Sequence, residues 1–176
     1  MTIETARLQL FPYAPEHLLA LIEGIPQYEA RTGLRAAEGL RDGITSAEVS
    51  PVWLEQLRAS TAADPWTHGF GVVHQESCLV IGSVGFKGAP DAEGMVEIAY
   101  GIVPAFRGKG YATEAAEAAV KFAFASDQVR LVRAHTLPTN SPSMQVLARC
   151  GFERTEEVVD PEDGLVIRWE RVKALT

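Results

Sequence analysis

Cysteine is scarce in this chain: 176 residues carry only Cys78 and Cys150. Two cysteines so far apart make neither a disulfide framework nor a metal-ligating pattern. Both read as small core residues of a protein in a reducing cytoplasm. The four histidines, His17, His68, His74 and His135, have no ligand spacing either, so no metal is expected. Long apolar runs are also missing. None approaches the roughly 20 residues of a membrane span, and the opening Met1-Thr2-Ile3-Glu4-Thr5 has no basic region or apolar segment of an export signal. Positive charge is in deficit, with 16 Lys and Arg against 23 Asp and Glu and a net charge of −7. That balance argues against nucleic acid as a partner and suits an amine-bearing one better. There are no repeats, low-complexity tracts or linkers. The length therefore reads as one domain, 1–176, long enough to bury about 70% of its unfolded surface.

What is present begins with Arg107-Gly108-Lys109-Gly110-Tyr111-Ala112-Thr113. An apolar run over 95–103 precedes it and an alanine-rich run to about residue 125 follows. Strand, glycine loop and helix start, in that order, build an anion site from backbone. The free N–H groups of a first helical turn and the positive end of its dipole attract a phosphate or pyrophosphate. Gly108 and Gly110 let the main chain come close to it, and Arg107 and Lys109 add cationic donors. A P-loop is excluded, because its spacing and its Gly-Lys-Ser/Thr are absent. A dinucleotide fingerprint is excluded as well, because Thr113 stands where its third glycine would be. By itself the loop could also be a plain glycine turn leading into a helix.

Around the loop, residues 7–11 alternate as a strand stopped by Pro12, and Pro15 opens a helix ended by Gly24. Residues 25–50 show no clear period. Ser50-Pro51 starts a helix, and strands are expected at 70–74, 78–87 and 95–103. A helix follows over 111–125 and a strand over 129–136. Another helix is capped by Ser141 with Pro142 and ends at Gly151. Two strands, 152–159 and 165–170, close the chain. The order indicates an α/β (α+β) domain with a mostly antiparallel sheet and one parallel pair around the crossover helix 111–125.

In combination these segments resemble the GNAT superfamily of N-acetyltransferases over nearly the whole chain. Arg107, Gly110 and Ala112 match the Arg-x-x-Gly-x-Ala form of its acetyl-coenzyme A signature. Asn140, Ser143 and Gly151-Phe152 stand where that family places the Asn at the next helix mouth and the Gly-Phe at its end. Glu4-Thr5-Ala6-Arg7-Leu8-Gln9-Leu10, and Glu97-Ile98-Ala99-Tyr100 with Pro104, are similar to the subgroup that acetylates ribosomal-protein N-termini. The resemblance implies a central mixed sheet of about six or seven strands, with a V-shaped splay between its two central parallel strands. It implies acetyl-CoA as co-substrate, with the pyrophosphate on residues 107–113, including Tyr111, Ala112 and Thr113. The pantetheine arm would run strand-like beside Ile102 and Val103, with Asn140 on the other side.

Acetyl transfer from a thioester to a neutral amine needs an oxyanion donor, help for the leaving thiolate, and alignment. The resemblance points to a central-strand backbone N–H for the oxyanion, with Val103 as the candidate. Glu97, a lone carboxylate between Val96 and Ile98, is the candidate to receive the proton directly or through water; a surface carboxylate paired with a Lys or Arg is the alternative. Many relatives place a Tyr acid seven residues after the Asn, where this chain has Leu147. Ser143 is the candidate in its stead, with Tyr100 and Tyr111 in reserve. Trp53, Trp66 and Phe70 line an acceptor groove or belong to the core. The acceptor is a protein N-terminus or a small-molecule amine, and a non-catalytic CoA-sensing module of the same fold is the rival class. Either a monomer or a homodimer fits.

Overall fold

A computed structural model of the chain describes residues 1–45 and 49–175; residues 46–48, in the stretch least legible from sequence, and residue 176 lie outside it. Strands β1 (Ile3–Glu4) and β2 (Leu8–Pro12) pair antiparallel at the start. Leu8 and Leu10 point inward, as the alternation predicts. Helix α1 (Pro15–Glu23) begins with proline in its first turn and buries Leu18 and Leu21, three residues apart. Helix α2 (Ile25–Thr32) is a helix the sequence pattern did not reveal. It buries only Tyr28, whose Oη lies 2.8 Å from Tyr13 Oη, so there is no apolar stripe to read.

Short β3 (Arg35–Ala36) and α3 (Asp42–Thr45) follow. Helix α4 (Pro51–Ala59) starts at Ser50, whose Oγ accepts from the Trp53 N–H, as expected. The four-residue α5 (Pro65–His68) is capped by Asp64 in the same manner. Next come β4 (Phe70–His74), β5 (Leu79–Phe86) and β6 (Met95–Ile102), then a 3₁₀ turn at Pro104–Phe106. Helix α6 (Tyr111–Phe124) buries Ala115, Ala116, Ala118, Ala119 and Ala123, so its backbone packs close to the sheet. Strand β7 (Leu131–Thr136), α7 (Ser141–Arg149), β8 (Glu153–Asp160) and β9 (Gly164–Val172) complete the chain. The cap of α7 is Asn140, one residue before the expected Ser141: its Oδ1 accepts from the Ser143 N–H.

The described strands form one sheet in the order β1-β2-β4-β5-β6-β7-β9-β8, with β3 beside β5. It has nine strands where six or seven were expected, because β1 and β3 are two residues each and too short to alternate visibly. Pairing is antiparallel except at β3–β5 and at β6–β7, the pair joined through α6. Leu8, Leu10, Leu21 and Leu57, all under 2% exposed, each contribute roughly 1.5–3 kcal/mol of apolar burial.

Candidate active site

Strands β6 and β7 pair at only three positions, Met95 with Leu131, Val96 with Val132 and Glu97 with Arg133. Both strands continue beyond that point, to Ile102 and Thr136, without pairing. The sheet therefore opens like a V with Glu97 at its apex. On its other side β6 stays paired with β5, from Ile98 opposite Phe86 to Ile102 opposite Gly82. The Val103 N–H donates to the Ile81 carbonyl at 2.8 Å, and the Lys87 N–H donates to the Glu97 carbonyl at 2.9 Å. In an antiparallel ladder these bonds fall on alternate residues. Odd-numbered residues of β6 thus turn their amides to β5 and even-numbered ones turn theirs toward β7, so that past the last pair, Glu97 with Arg133, the amides of Tyr100 and Ile102 face the opening. This corrects the expectation for Val103: its N–H is spent within the sheet.

Beyond β6 the chain turns into the glycine loop. Gly108 and Gly110 have φ of +74° and +84°, the left-handed region that favours glycine. Gly110 also precedes the first residue of α6. Among the described residues the N–H groups of Gly108, Lys109, Gly110, Tyr111, Ala112 and Thr113 find no backbone acceptor outside the helix. Within an α-helix the first residues have no acceptor to bond to. A run of free amides at a helix N-terminus fits a pyrophosphate. The Arg107 Nε donates to the Ile102 carbonyl at 2.8 Å, which ties loop to strand. The Lys109 ammonium sits 5.6 Å from the Phe106 ring centroid.

Across the opening, the Tyr100 and Ser143 hydroxyls are 3.0 Å apart. Ser143 is held in place by the Asn140 cap at 3.2 Å. Burial pushes the Tyr100 phenol up, with the Ser143 hydrogen bond opposing it, so the phenol is protonated at neutral pH. Leu147 is in the core, 1% exposed. Tyr111 is turned elsewhere: its Oη lies 2.9 Å from His74 Nε2, under the sheet.

Beside the ends of β5 and β6 lies a cleft of about 570 Å³. Helices α1, α3, α4 and α5 wall it on one side and Gly82–Phe86 and Ala99–Val103 on the other, and Arg107 of the glycine loop reaches its rim. Trp53 lines it. Trp66 and Phe70 instead pack on Phe122, with ring centroids 5.2 Å and 5.3 Å away.

Residues 7–153 match the family described as the acetyltransferase (GNAT) domain. The chain belongs to the GNAT acetyltransferase family. It is 33% identical over 89 residues to an uncharacterized N-acetyltransferase, YjdG, of Bacillus subtilis (strain 168), covering 49% of this chain and 53% of that one. With p20 of Bacillus licheniformis, another uncharacterized N-acetyltransferase, identity is 29% over 104 residues, 59% of this chain and 54% of that one. The chain thus spans about half the length of these curated relatives. Among solved structures, a GNAT-family acetyltransferase from Bacillus anthracis superposes with a TM-score of 0.66 at 19% identity, covering 98% and 99% of the two chains. Mycobacterium smegmatis RimJ, in complex with CoA-disulfide, gives 0.63 at 17% identity, covering 94% and 81%. At such identities the likeness is one of fold.

In this GNAT chain the Glu97 carboxylate has two partners. The Lys87 Nζ lies 2.6 Å from Oε2 and the His135 Nδ1 lies 3.0 Å from Oε1. Arg168 Nε donates to His135 Nε2 at 3.2 Å and Arg168 Nη1 lies 2.9 Å from Glu156 Oε1. Because His135 Nε2 accepts, the ring proton sits on Nδ1 and is donated to Glu97. Burial pulls the Lys87 ammonium down, but the hydrogen bond and charge of Glu97 outweigh it and raise its pKa. His135 carried no motif in the sequence, since its partners come from β6 and β9. Only pairing β7 between them brings the three together.

Proposed function

We propose that this GNAT chain is an acetyl-CoA-dependent N-acetyltransferase in which a primary amine attacks the thioester directly. The reading rests on one observation above all: free amides at residues 108–113 adjoin a strand pair that opens after three residue pairs. The amides of Gly108 to Thr113 would hold the pyrophosphate, with the Arg107 and Lys109 side chains at its edge. The arm would follow β6 along the edge turned to the opening, past Ile102 and Val103, with Asn140 opposite. The thioester supplies the acetyl group, and everything else falls to the chain. Amides of Tyr100 or Ile102 donate to the developing oxyanion. Ser143 and Tyr100, hydroxyl to hydroxyl, provide the proton for the thiolate. Glu97, two residues before the cleft-lining Ala99, positions the amine or takes its proton through water.

The similarity of Glu4 to Leu10 and Glu97 to Tyr100 to the ribosomal-protein subgroup supports a protein N-terminus as acceptor. An α-amine, with a pKa of about 7.7–8.0, requires little base strength. Two unpaired cysteines, one exposed and one buried, support a reducing cytoplasm as the working compartment. Buried Leu147 at the usual acid position favours a second reading, a CoA-binding module without turnover. Mass spectrometry of an amine and peptide panel incubated with labelled acetyl-CoA separates the two. Acetylated product supports the enzyme, and binding of CoA with no product supports the module.

A further inference from the structure

Glu97 and His135 meet where the sheet comes apart. Glu97 and Arg133 form the last backbone pair between β6 and β7. Two residues further along β7, the His135 side chain reaches back across the opening, its Nδ1 3.0 Å from Glu97 Oε1. Strand alternation puts Glu97, Arg133 and His135 on one face of the sheet. Arg168 stands opposite His135 on β9 and carries the chain on to Glu156 of β8, 2.9 Å away. Side chains of four strands therefore hold together a place where main-chain hydrogen bonding has stopped.

What each group can donate fixes the direction of the bonds. A guanidinium has donors only, so His135 Nε2, 3.2 Å from Arg168 Nε, must accept. The ring proton is then on Nδ1, against Glu97. With Nδ1 protonated and Nε2 facing a cation, the ring has no free lone pair and takes no proton from Glu97. It can hold the carboxylate but cannot relay through itself. Lys87 Nζ meets the other oxygen at 2.6 Å, but that side chain is 59% exposed and ends a flexible four-carbon stem. The planar imidazole, held at both nitrogens, is the stiffer partner. Each carboxylate oxygen has two lone-pair sites, so one on each is left for an amine or its water.

We propose that His135 is a positioning residue: its Nδ1–H, kept in that tautomer by Arg168, clamps Glu97 and fixes how the carboxylate presents its remaining lone pairs to the attacking amine. This rests on the reading of Glu97 as the group that positions the amine or takes its proton. A displacement of about 1 Å in such a group costs on the order of 100-fold in rate.

The test measures CoA release with an alanine-terminated tripeptide and with spermidine, in the parent chain, His135→Phe, His135→Asn, Glu97→Gln and the double variant Glu97→Gln/His135→Phe. His135→Phe is expected to lower kcat about 10–100-fold and to leave KM for acetyl-CoA unchanged. His135→Asn, whose amide puts a donor near the place of Nδ1, restores part of the loss. In the Glu97→Gln background His135→Phe should cost nothing further, because a residue that acts through Glu97 has nothing left to position. A merely structural role would cut equally deep in both backgrounds and would not be rescued by Asn. That result overturns the proposal while the Glu97 reading stands. Full activity of Glu97→Gln removes the Glu97 reading itself and overturns the proposal with it. If neither amine is acetylated, the enzyme reading fails by itself, and ¹⁵N shifts of the His135 ring decide the clamp. A proton on Nδ1 alone upholds it, and a proton on Nε2 rejects it. The same spectrum of the parent decides the matter if His135→Phe does not fold.

Discussion

Arg7 and Glu114 join the first long strand to the loop at the head of α6. The Arg7 Nε lies 2.8 Å from Glu114 Oε2, the Arg7 N–H donates to Oε1 at 2.7 Å, and the Arg7 Nη1 donates to the Lys109 carbonyl at 2.8 Å. The Thr5 hydroxyl adds a bond to Glu114 Oε1, and the Arg7 guanidinium lies 4.4 Å from the Tyr111 ring centroid. The Thr-x-Arg of the N-terminal motif thus fastens the backbone whose amides would face the pyrophosphate. Arg7→Ala is expected to weaken CoA binding about tenfold, equivalent to about 1.4 kcal/mol, as read by calorimetry. The pair is partly exposed, so its effect on stability is smaller.

Glu114 also makes stability depend on pH. Burial pushes its carboxyl up, but the hydrogen bonds from Thr5 and Arg7 outweigh it and hold the pKa below its ordinary value. A depressed carboxyl contributes stability above its unfolded pKa, about 4.3, and loses it as pH falls through the folded pKa. Melting temperatures of the parent and Glu114→Gln should differ clearly at pH 6–7 and converge below pH 4. A constant gap across that range would contradict the assignment.

Gly108 and Gly110 should respond differently to alanine. Both have positive φ, but a Cβ on Gly108 meets nothing within 4 Å, whereas one on Gly110 comes within 3.2 Å of Arg7 Nη2. Gly108→Ala costs about 1 kcal/mol of backbone strain. Gly110→Ala adds displacement of the Arg7 clamp and should lose more CoA affinity than stability, and Gly110→Val more still. Paired calorimetry and urea titrations check both.

Tyr100 and Ser143 face one another across the opening, so they should act as a unit. Tyr100→Phe and Ser143→Ala are each expected to lower kcat about 10–100-fold. The double variant should fall little further, as groups sharing one task are not additive. Multiplying losses would mean independent roles.

Glu97→Gln should lower kcat more than it changes the Kd for CoA. Loss of the Lys87 partner should be milder, because Lys87 is the more exposed of the pair, 59% against 17%. Full activity of Glu97→Gln at neutral pH would remove Glu97 from the mechanism.

The long elements were legible because their signals are local. The alternation at Leu8 and Leu10, the alanines of α6 and the turn between β8 and β9 each lie within one segment. What escaped depends on partners distant in sequence. Helix α2 has a single buried residue, Tyr28, whose partner Tyr13 belongs to an earlier segment. The direction of the Val103 amide is set by its register with Ile81, which no motif encodes. His68 looked like one scattered histidine among four, and it becomes buried only once α5 packs against β5. Within the site, the glycine loop could be read in advance because it is built from backbone. The acceptor chemistry could not, since six segments meet to form the cleft.

The central claim is that amides of residues 108–113 hold the diphosphate of CoA. Titrating CoA into ¹⁵N-labelled protein and following backbone amide shifts tests it most directly. The account predicts saturable shifts concentrated at Gly108 to Thr113, with smaller ones at Tyr100 and Ile102. Saturable binding that leaves those loop amides unmoved, or no binding at millimolar CoA, would contradict it.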